Sequence, residues 1–522
     1  MNQHKPVVHL ALFTILSRII GFIRVIAIGA LLGTTLIGNT FQSTNSISNV
    51  LFDLLVSGAL SAALIPQLSV ALHKGKEEFD SIISSLLTVV LIVLGIITIV
   101  GFIFAQNISN ILFQNVPITD KSEQIRIGTI LIRFFIPQVF FYGIGAVSVA
   151  ALSAKKIFTP AAYAPIAGSF VIIIGLSYFR YTTNNLDGNI SMKSIVILGL
   201  SGTFACLGFV LTPFIIAIRK NIKFRPSSNI KLGLESLKTS TWAIAIQASA
   251  AIILGISIYI GNKTPGAVVA YQIGFIFFFT PYAIISQSFS TVALPEISVQ
   301  AFNSNDLDEK KSFNKNIHNT LLWTYIPLSI ISALVISFAQ PISNILSIGE
   351  AQSGTKLFEY AIIFMFVGLL PYGLFQTCSI VFFAISDVKT PALIVLTSSI
   401  IISIIGLVVS KSFPDINILM VMGLIHGCVY LVASIILITL LSLRKINVLP
   451  NKSTIYILFS SFFIGVCGYF FTRFINPTNK LDSIIYIAVS MAMIVALLLI
   501  ITPKSKIKEY INMIRNRGIK NV

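Results

Sequence analysis

The chain has 522 residues, of which 55% are hydrophobic and only 10% charged, and it carries a formal net charge of +18. A water-soluble domain is about a quarter charged, so this composition excludes a soluble enzyme or binding domain and makes lipid the main solvent. The positive charge is spread over short segments between apolar runs, which is the pattern of membrane topology and argues against nucleic acid as a partner.

Only helices and closed barrels satisfy their backbone in hydrocarbon. The runs here are continuous Ile, Leu, Val and Phe rather than alternating, so an all-α integral membrane fold is expected. With roughly 20 apolar residues per crossing, the spacing predicts spanning helices near 8–33, 43–72, 82–106, 126–153, 160–179, 194–218 and 236–260. A second set follows near 266–300, 317–341, 356–385, 391–410, 416–442, 453–474 and 483–502. That makes about fourteen transmembrane helices joined by short loops. The first apolar run is interrupted by Arg18 and Arg24 and ends in no small-residue cleavage site, so it reads as a spanning helix and not a signal peptide.

Lys and Arg gather in alternate loops: Lys74 and Lys76; Lys155 and Lys156; the stretch from Arg219 to Lys238; Lys310, Lys311 and Lys315; Lys389; Arg444, Lys445 and Lys452; and the tail from Lys504 to Lys520. The opposite loops are poorer, with Lys263 alone after the seventh helix. This asymmetry predicts that the basic loops and both termini are cytoplasmic. The 219–238 loop is either a lipid head-group site or a topology anchor.

An internal repeat organises the chain. Leu60 to Val70 (LSAALIPQLSV) resembles Phe289 to Val299 (FSTVALPEISV) at an offset of about 229 residues. Tyr142-Gly143 and Thr159-Pro160 match Tyr372-Gly373 and Thr390-Pro391 at nearly the same offset. Helices one to six and seven to twelve are therefore expected to be two parallel six-helix repeats facing a central cavity, a recurring transporter plan. The expected division is an N-terminal lobe at 1–230, a C-terminal lobe at 231–445, and two extra helices with a basic tail at 446–522.

No metal, nucleotide or nucleophile motif stands out, and no carboxylate pair lies at helical spacing inside the membrane, which argues against an enzyme. The cysteines Cys206, Cys378, Cys428 and Cys467 sit in apolar runs with no metal spacing and read as small buried hydrophobes. Intramembrane charges are costly and usually face a protein or water cavity. Arg18 and Arg24 lie deep in helix one, six residues apart, so on a straight helix they point about 120° apart with a rise of about 9 Å. Gly21 between them would permit a bend that brings both to one cavity. Two arginines suit a pyrophosphate because each guanidinium can donate a bidentate pair of hydrogen bonds; the competing reading is a pair of snorkelling residues. In helix two, Asn45, Asn49 and Asp53 fall at i, i+4 and i+8, a polar stripe on one face, with Asn39 nearby. Asp53 would counter an arginine or carry a coupling cation. Arg133 is either a third cavity cation or an interfacial anchor.

The motif Ser17-Arg18-x-x-Gly21-Phe22-x-Arg24, followed by Asn49, Gly58, Ala59, Ser61 and Pro66, resembles the MurJ/MviN family. That family comprises lipid II flippases of the multidrug/oligosaccharidyl-lipid/polysaccharide exporter superfamily. The resemblance implies that Arg18 and Arg24 line a central cavity and grip the lipid II pyrophosphate. It also implies that helices thirteen and fourteen form a groove for the polyprenyl tail. The chain departs from the family pattern at Val25 and Asn39, where acids are usual, and at Phe52, where a cavity arginine is usual with Asp53 beside it here. Another departure is Tyr271 to Phe279, which has no cation. The expected function is alternating-access translocation of lipid II to the outer leaflet for cell wall synthesis, in the bacterial cytoplasmic membrane. The expected molecule is monomeric and cofactor-free, driven by membrane potential or a coupled cation. The alternatives are a flippase for another polyprenyl-linked saccharide, a multidrug exporter of the same superfamily, and a membrane glycosyltransferase or scaffold.

Overall fold

The computed structural model describes residues 4–52, 67–183, 186, 189–227, 229–238, 241–302, 307–413 and 417–501. Among them, all regular structure is helical. The first half contains α1 (His4–Leu32), α2 (Leu36–Phe52), α3 (Lys76–Ile103), α4 (Ala105–Leu112), α5 (Ile118–Ala154), α6 (Thr159–Thr182), α7 (Met192–Arg219) and α8 (Ile230–Lys238). The second contains α9 (Thr241–Gly261), α10 (Ala267–Ile284), α11 (Ser286–Phe302), α12 (Leu307–Ser337), α13 (Ala339–Leu346), α14 (Thr355–Val367), α15 (Leu369–Ala384), α16 (Lys389–Val409) and α17 (Ile418–Leu443). Two further helices follow, α18 (Lys452–Ile475) and α19 (Lys480–Ile501). Among the described residues, 11 helical stretches are long and apolar enough to cross a membrane; α1, α2 and α19 stand outside that count.

Burial runs opposite to that of a water-soluble protein. Large apolar side chains such as Ile401, Leu443, Phe463 and Phe474 are exposed around the outside, where hydrocarbon is their natural solvent. The first turns of α2 are polar and buried: Asn39, Thr40, Ser43, Thr44 and Ser48 are each 0% exposed. Helix association in lipid relies on packing and interhelical hydrogen bonds rather than on hydrophobic burial. Thus Ser48 Oγ donates to the carbonyl of Phe135 on α5 at 2.6 Å, and the rings of Phe41 and Phe135 meet edge to face at 5.5 Å.

Two predicted helices are each two pieces, and proline explains the second. The run 266–300 breaks at Ile285, four residues after Pro281 in α10. The run 356–385 breaks at Gly368, three residues before Pro371, which has no N–H to offer the preceding turn. Three short amphipathic helices were not expected: α4, α8 and α13. α8, within the basic 219–238 stretch, lies on α3, and the preceding backbone is tied there by Ser227 N–H to Thr88 Oγ1 at 2.9 Å.

The order of helix pairings recurs. α1 packs on α6, α2 and α3 on α5, and α5 and α6 on α7. Correspondingly α9 packs on α16, α10 on α14, α11 and α12 on α15, and α14, α15 and α16 on α17. α4 and α13 also correspond: AQNISNIL and AQPISNIL, each entered through a phenylalanine (Phe104 and Phe338) in the same bridging conformation. α18 docks along α12, where Gly465 and Gly468 let the backbones close in and Thr472 Oγ1 donates to the carbonyl of Ser337 at 2.7 Å. α19 packs on α13.

Candidate functional site

A cavity of about 440 Å³ lies where the two halves face each other. α1 contributes Arg24, α2 contributes Asn45, Ser46 and Asn49, and α5 contributes Gln138 and Tyr142. The second half closes one wall with Leu254 of α9 and Gln272, Phe275 and Ile276 of α10. The i, i+4 spacing of Asn45 and Asn49 puts both amides on the same helix face, and that face is the cavity wall. Tyr142 donates its hydroxyl to Asn49 Oδ1 at 3.3 Å. Gln272 donates to Ser46 Oγ across the two halves at 2.9 Å.

Arg24 is the one cation among the described lining residues, and its Nε has no hydrogen-bond partner. Gln138 Nε2 is likewise a buried donor without an acceptor. A buried polar group left unpaired costs free energy comparable to a lost hydrogen bond. The Arg24 guanidinium with its orphan Nε and the orphan Gln138 amide around one cavity are a lining suited to an anion or a group rich in acceptor oxygens.

The other predicted site residues are placed differently. α1 runs unbroken through Gly21, so Arg18 does not turn toward Arg24. It is exposed on the seam between α1 and α10, its guanidinium 5.7 Å from the ring centroid of Phe279. Beside it Phe22 and Phe277 pack at 4.9 Å. Arg133, weighed as a third cavity cation, is outside the cavity: it is exposed on α5 over the ring of Phe102 on α3, at 5.7 Å. Asp53 lies outside the described residues, as does Pro66. Asn39, expected to line the cavity, is instead sealed in the seam. Its Nδ2 donates to Asn262 Oδ1 at 2.8 Å, and its Oδ1 accepts from Val268 N–H, in the first turn of α10, at 3.0 Å. Asn262 also accepts from Ser43 Oγ at 2.9 Å and donates to the carbonyl of Leu112 at 3.0 Å. An ionised acid at position 39 would supply no donor to Asn262 Oδ1.

This asparagine network belongs to a larger junction at the end of the molecule away from the basic loops. Thr34 and Ser353 hydroxyls meet at 3.0 Å. Arg180 pairs with Glu350. Gly33 and Gly349 have φ of +64° and +61°, and each packs against the other half's backbone where a Cβ would collide. Only glycine tolerates both conditions.

Sequence reasoning missed Gln138, Tyr142 and Gln272. The signal was present as uncharged polar groups inside apolar helices, Gln138 directly after Pro137, but a lone amide in an apolar run is a weaker mark than a charge or a stripe at helical spacing. Among the described residues no group of three or more His, Cys, Asp or Glu could hold a metal. His426 on α17 is enclosed by aromatic rings, including Phe278 at 4.9 Å and Tyr430 at 5.0 Å, and does not reach the cavity lining.

Comparisons with known proteins bear on this arrangement. The probable lipid II flippase MurJ of Rickettsia prowazekii (strain Madrid E) is 27% identical over 422 residues, 80% of each chain. That of Buchnera aphidicola subsp. Baizongia pistaciae (strain Bp) is 27% identical over 410 residues, 75% of each chain. Among solved structures, a lipid II flippase MurJ in an inward closed conformation superposes with a TM-score of 0.67 at 21% identity, over 89% of this chain and 99% of that one. An inward-facing multidrug resistance MATE family transporter of the MOP superfamily superposes with a TM-score of 0.62 at 14% identity, over 80% and 93%. Both structural likenesses concern the fold. The family described as "Lipid II flippase MurJ" matches residues 28–502, nearly the whole length, and the chain belongs to that family.

Proposed function

We propose that this membrane protein carries the undecaprenyl-pyrophosphate-linked peptidoglycan precursor from the inner to the outer leaflet by alternating access, with Arg24 holding the pyrophosphate. The observation that carries the reading is a guanidinium with an unpaired Nε in a cavity between two helix sets. A phosphate head group cannot cross hydrocarbon bare, since one charge there costs about 2.5 kcal/mol or more. A cavity that opens to each side in turn removes that barrier while the lipid tail stays in the bilayer. Arg24 offers a bidentate contact, and Asn45, Asn49, Gln138 and Gln272 offer neutral hydrogen bonds to the remaining oxygens. Arg18, on the seam of α1 and α10, is assigned to the entrance, where it meets the head group first. Asp53, four residues after Asn49 in the sequence, remains the proposed counter-charge.

The architecture proposed with it has fourteen spans and both termini cytoplasmic, with a lobe at 1–230, a second at 231–445 and the helix pair with its tail at 446–522. The recurring helix pairings and the paired α4 and α13 support the lobes. The hydrogen bonds joining them at the end away from the basic loops support a state closed on the external side. The protein acts as a monomer without a cofactor, driven by membrane potential or a coupled cation. It is a transporter and not an enzyme.

The test is complementation in cells depleted of their own lipid II flippase, with membrane levels checked by blot. Arg24→Ala is expected to abolish growth and Arg24→Lys to impair it. Normal growth of Arg24→Ala at normal protein level would overturn the arginine mechanism. A second reading, another polyprenyl-linked saccharide, is favoured by the neutral Gln272 on α10. Failure of wild-type complementation, with transport of a different lipid-linked sugar in vesicles, would select it.

A further inference from the structure

A second hollow exceeds the central cavity in volume. A groove of about 880 Å³ runs along the seam formed by α4 of the first half with α9 and α16 of the second. We propose that it is a binding site for an anionic phospholipid, with the phosphate at Lys411 and Lys263 and the acyl chains along the isoleucine wall.

Polarity along the groove carries the argument. α9 and α16 both run from the basic loops toward the opposite end. Their deeper lining residues are Gly255, Ile256 and Leu407, whereas their last ones are Lys263, Ser410 and Lys411. On α4 the apolar Ile108 and Ile111 line it, and Gln114 and Asn115 follow at the polar end. The change from hydrocarbon-like to cationic walls occurs over roughly 10 Å, from about seven residues at the helical rise. That is the profile of a lipid seated with its head group at one membrane face. Tyr259 closes the floor near the polar end: its hydroxyl donates to Gln114 Oε1 at 3.2 Å and its carbonyl accepts from Asn115 Nδ2 at 3.3 Å. Lys263 is fixed at the rim by the carbonyls of Phe413 at 2.8 Å and Ser410 at 3.4 Å. Lys411 is exposed beside it and is the cation available to a phosphate.

The internal duplication supplies a second, independent argument. α13, the twin of α4, is covered by protein: Asn344 donates to Pro477 O at 2.8 Å and Ser483 Oγ at 3.1 Å, and Gln340 donates to Asn476 at 2.7 Å. The equivalent Asn110 and Gln106 on α4 are exposed, and Ile111 is 65% exposed. One sequence motif is thus sealed by α18 and α19 in one half and left for lipid in the other. Because the groove takes walls from both halves, a lipid lying in it bridges them.

The test is native mass spectrometry of the full-length protein in detergent, offered equal phosphatidylglycerol and phosphatidylcholine of matched chains. Wild type should retain phosphatidylglycerol preferentially. A lysine near a membrane surface contributes about 1 kcal/mol, so Lys411→Gln should lower that preference about fivefold. Lys356→Gln, an exposed lysine outside the groove, should leave it unchanged. Ile256→Trp should reduce retention by filling the apolar end, and glycerol phosphate, a head group without chains, should fail to displace the lipid. Equal effects of Lys411→Gln and Lys356→Gln would show unspecific surface attraction and overturn the proposal. Displacement by glycerol phosphate would overturn it in favour of a free phosphate site. None of these readouts depends on transport, so the proposal and the flippase reading fail separately.

Discussion

Asn39→Ala tests whether the buried asparagine junction holds one end of the molecule shut. The substitution removes the donation to Asn262 and strands the N–H of Val268, a 0% exposed residue in the first turn of α10. Interhelical side-chain hydrogen bonds in membranes average about 0.6 kcal/mol, and a stranded buried donor costs about 1–3 kcal/mol. Once the seam parts, these groups reach water and nothing is lost. The closed state should therefore be weakened by about 2 kcal/mol relative to the open one, which is about 30-fold in the equilibrium. Thr34 is wedged between Gly266 and Gly354 of the other half and reports the opening directly. In a Thr34→Cys background, labelling by a bulky maleimide should accelerate about 30-fold when Asn39→Ala is added, if closing outpaces labelling. An unchanged rate in a protein that still elutes as a single folded species would refute the latch.

Three further outcomes follow from packing and charge. Gly33→Ala should speed the same labelling, because the new Cβ meets the backbone of Glu350 at a positive φ. Gly468→Leu should lower thermal stability by pushing α18 off Ser337 of α12, whereas Gly21→Ala, with no atom within 4 Å of the added carbon, should not; a fluorescence melt in detergent decides. Burial disfavours ionised Asp387, but hydrogen bonds from Arg444 and Thr390 and the Arg444 charge outweigh it and hold the carboxyl below its usual range. A depressed carboxyl stabilises the fold fully above its unfolded value, about 3.9, and loses that contribution as pH falls through the folded value. Wild type should therefore lose more stability than Asp387→Asn on acidification below about pH 4; parallel pH curves would exclude this link between the loop before α16 and the end of α17.

The long helices were legible because twenty-residue apolar runs have few alternatives in lipid. α4 and α13 were not, since eight residues mixing Asn, Gln, Ser and Ile vanish in a twenty-residue average. Yet their near-identical sequences were a third sign of the duplication, offset by about 234 residues. Arg24, Asn45 and Asn49 were readable as costly polar groups inside a helix, and they meet in one cavity. Arg18, chosen by the same logic, lies at the seam because six residues of straight helix turn it away. Asn39 shows the limit more sharply: its polarity was visible, but its partner Asn262 is 223 residues distant, and only the folded chain brings them together.

The polar, inward-facing α2 also constrains how the chain is made. A segment carrying Asn39, Thr40, Ser43, Thr44, Asn45, Ser46, Ser48 and Asn49 gains little from entering hydrocarbon alone. Its acceptor on α5, the carbonyl of Phe135, is 87 residues downstream of Ser48. At about 5–20 residues per second of synthesis, that partner emerges roughly 4–17 s later. Asn262, 223 residues after Asn39, follows only after roughly 11–45 s. During that interval α2 must shelter beside α1, in the insertion machinery or at the bilayer surface. A delay in translation between residues 52 and 118 would prolong its exposure and raise the fraction of chains degraded before the halves meet.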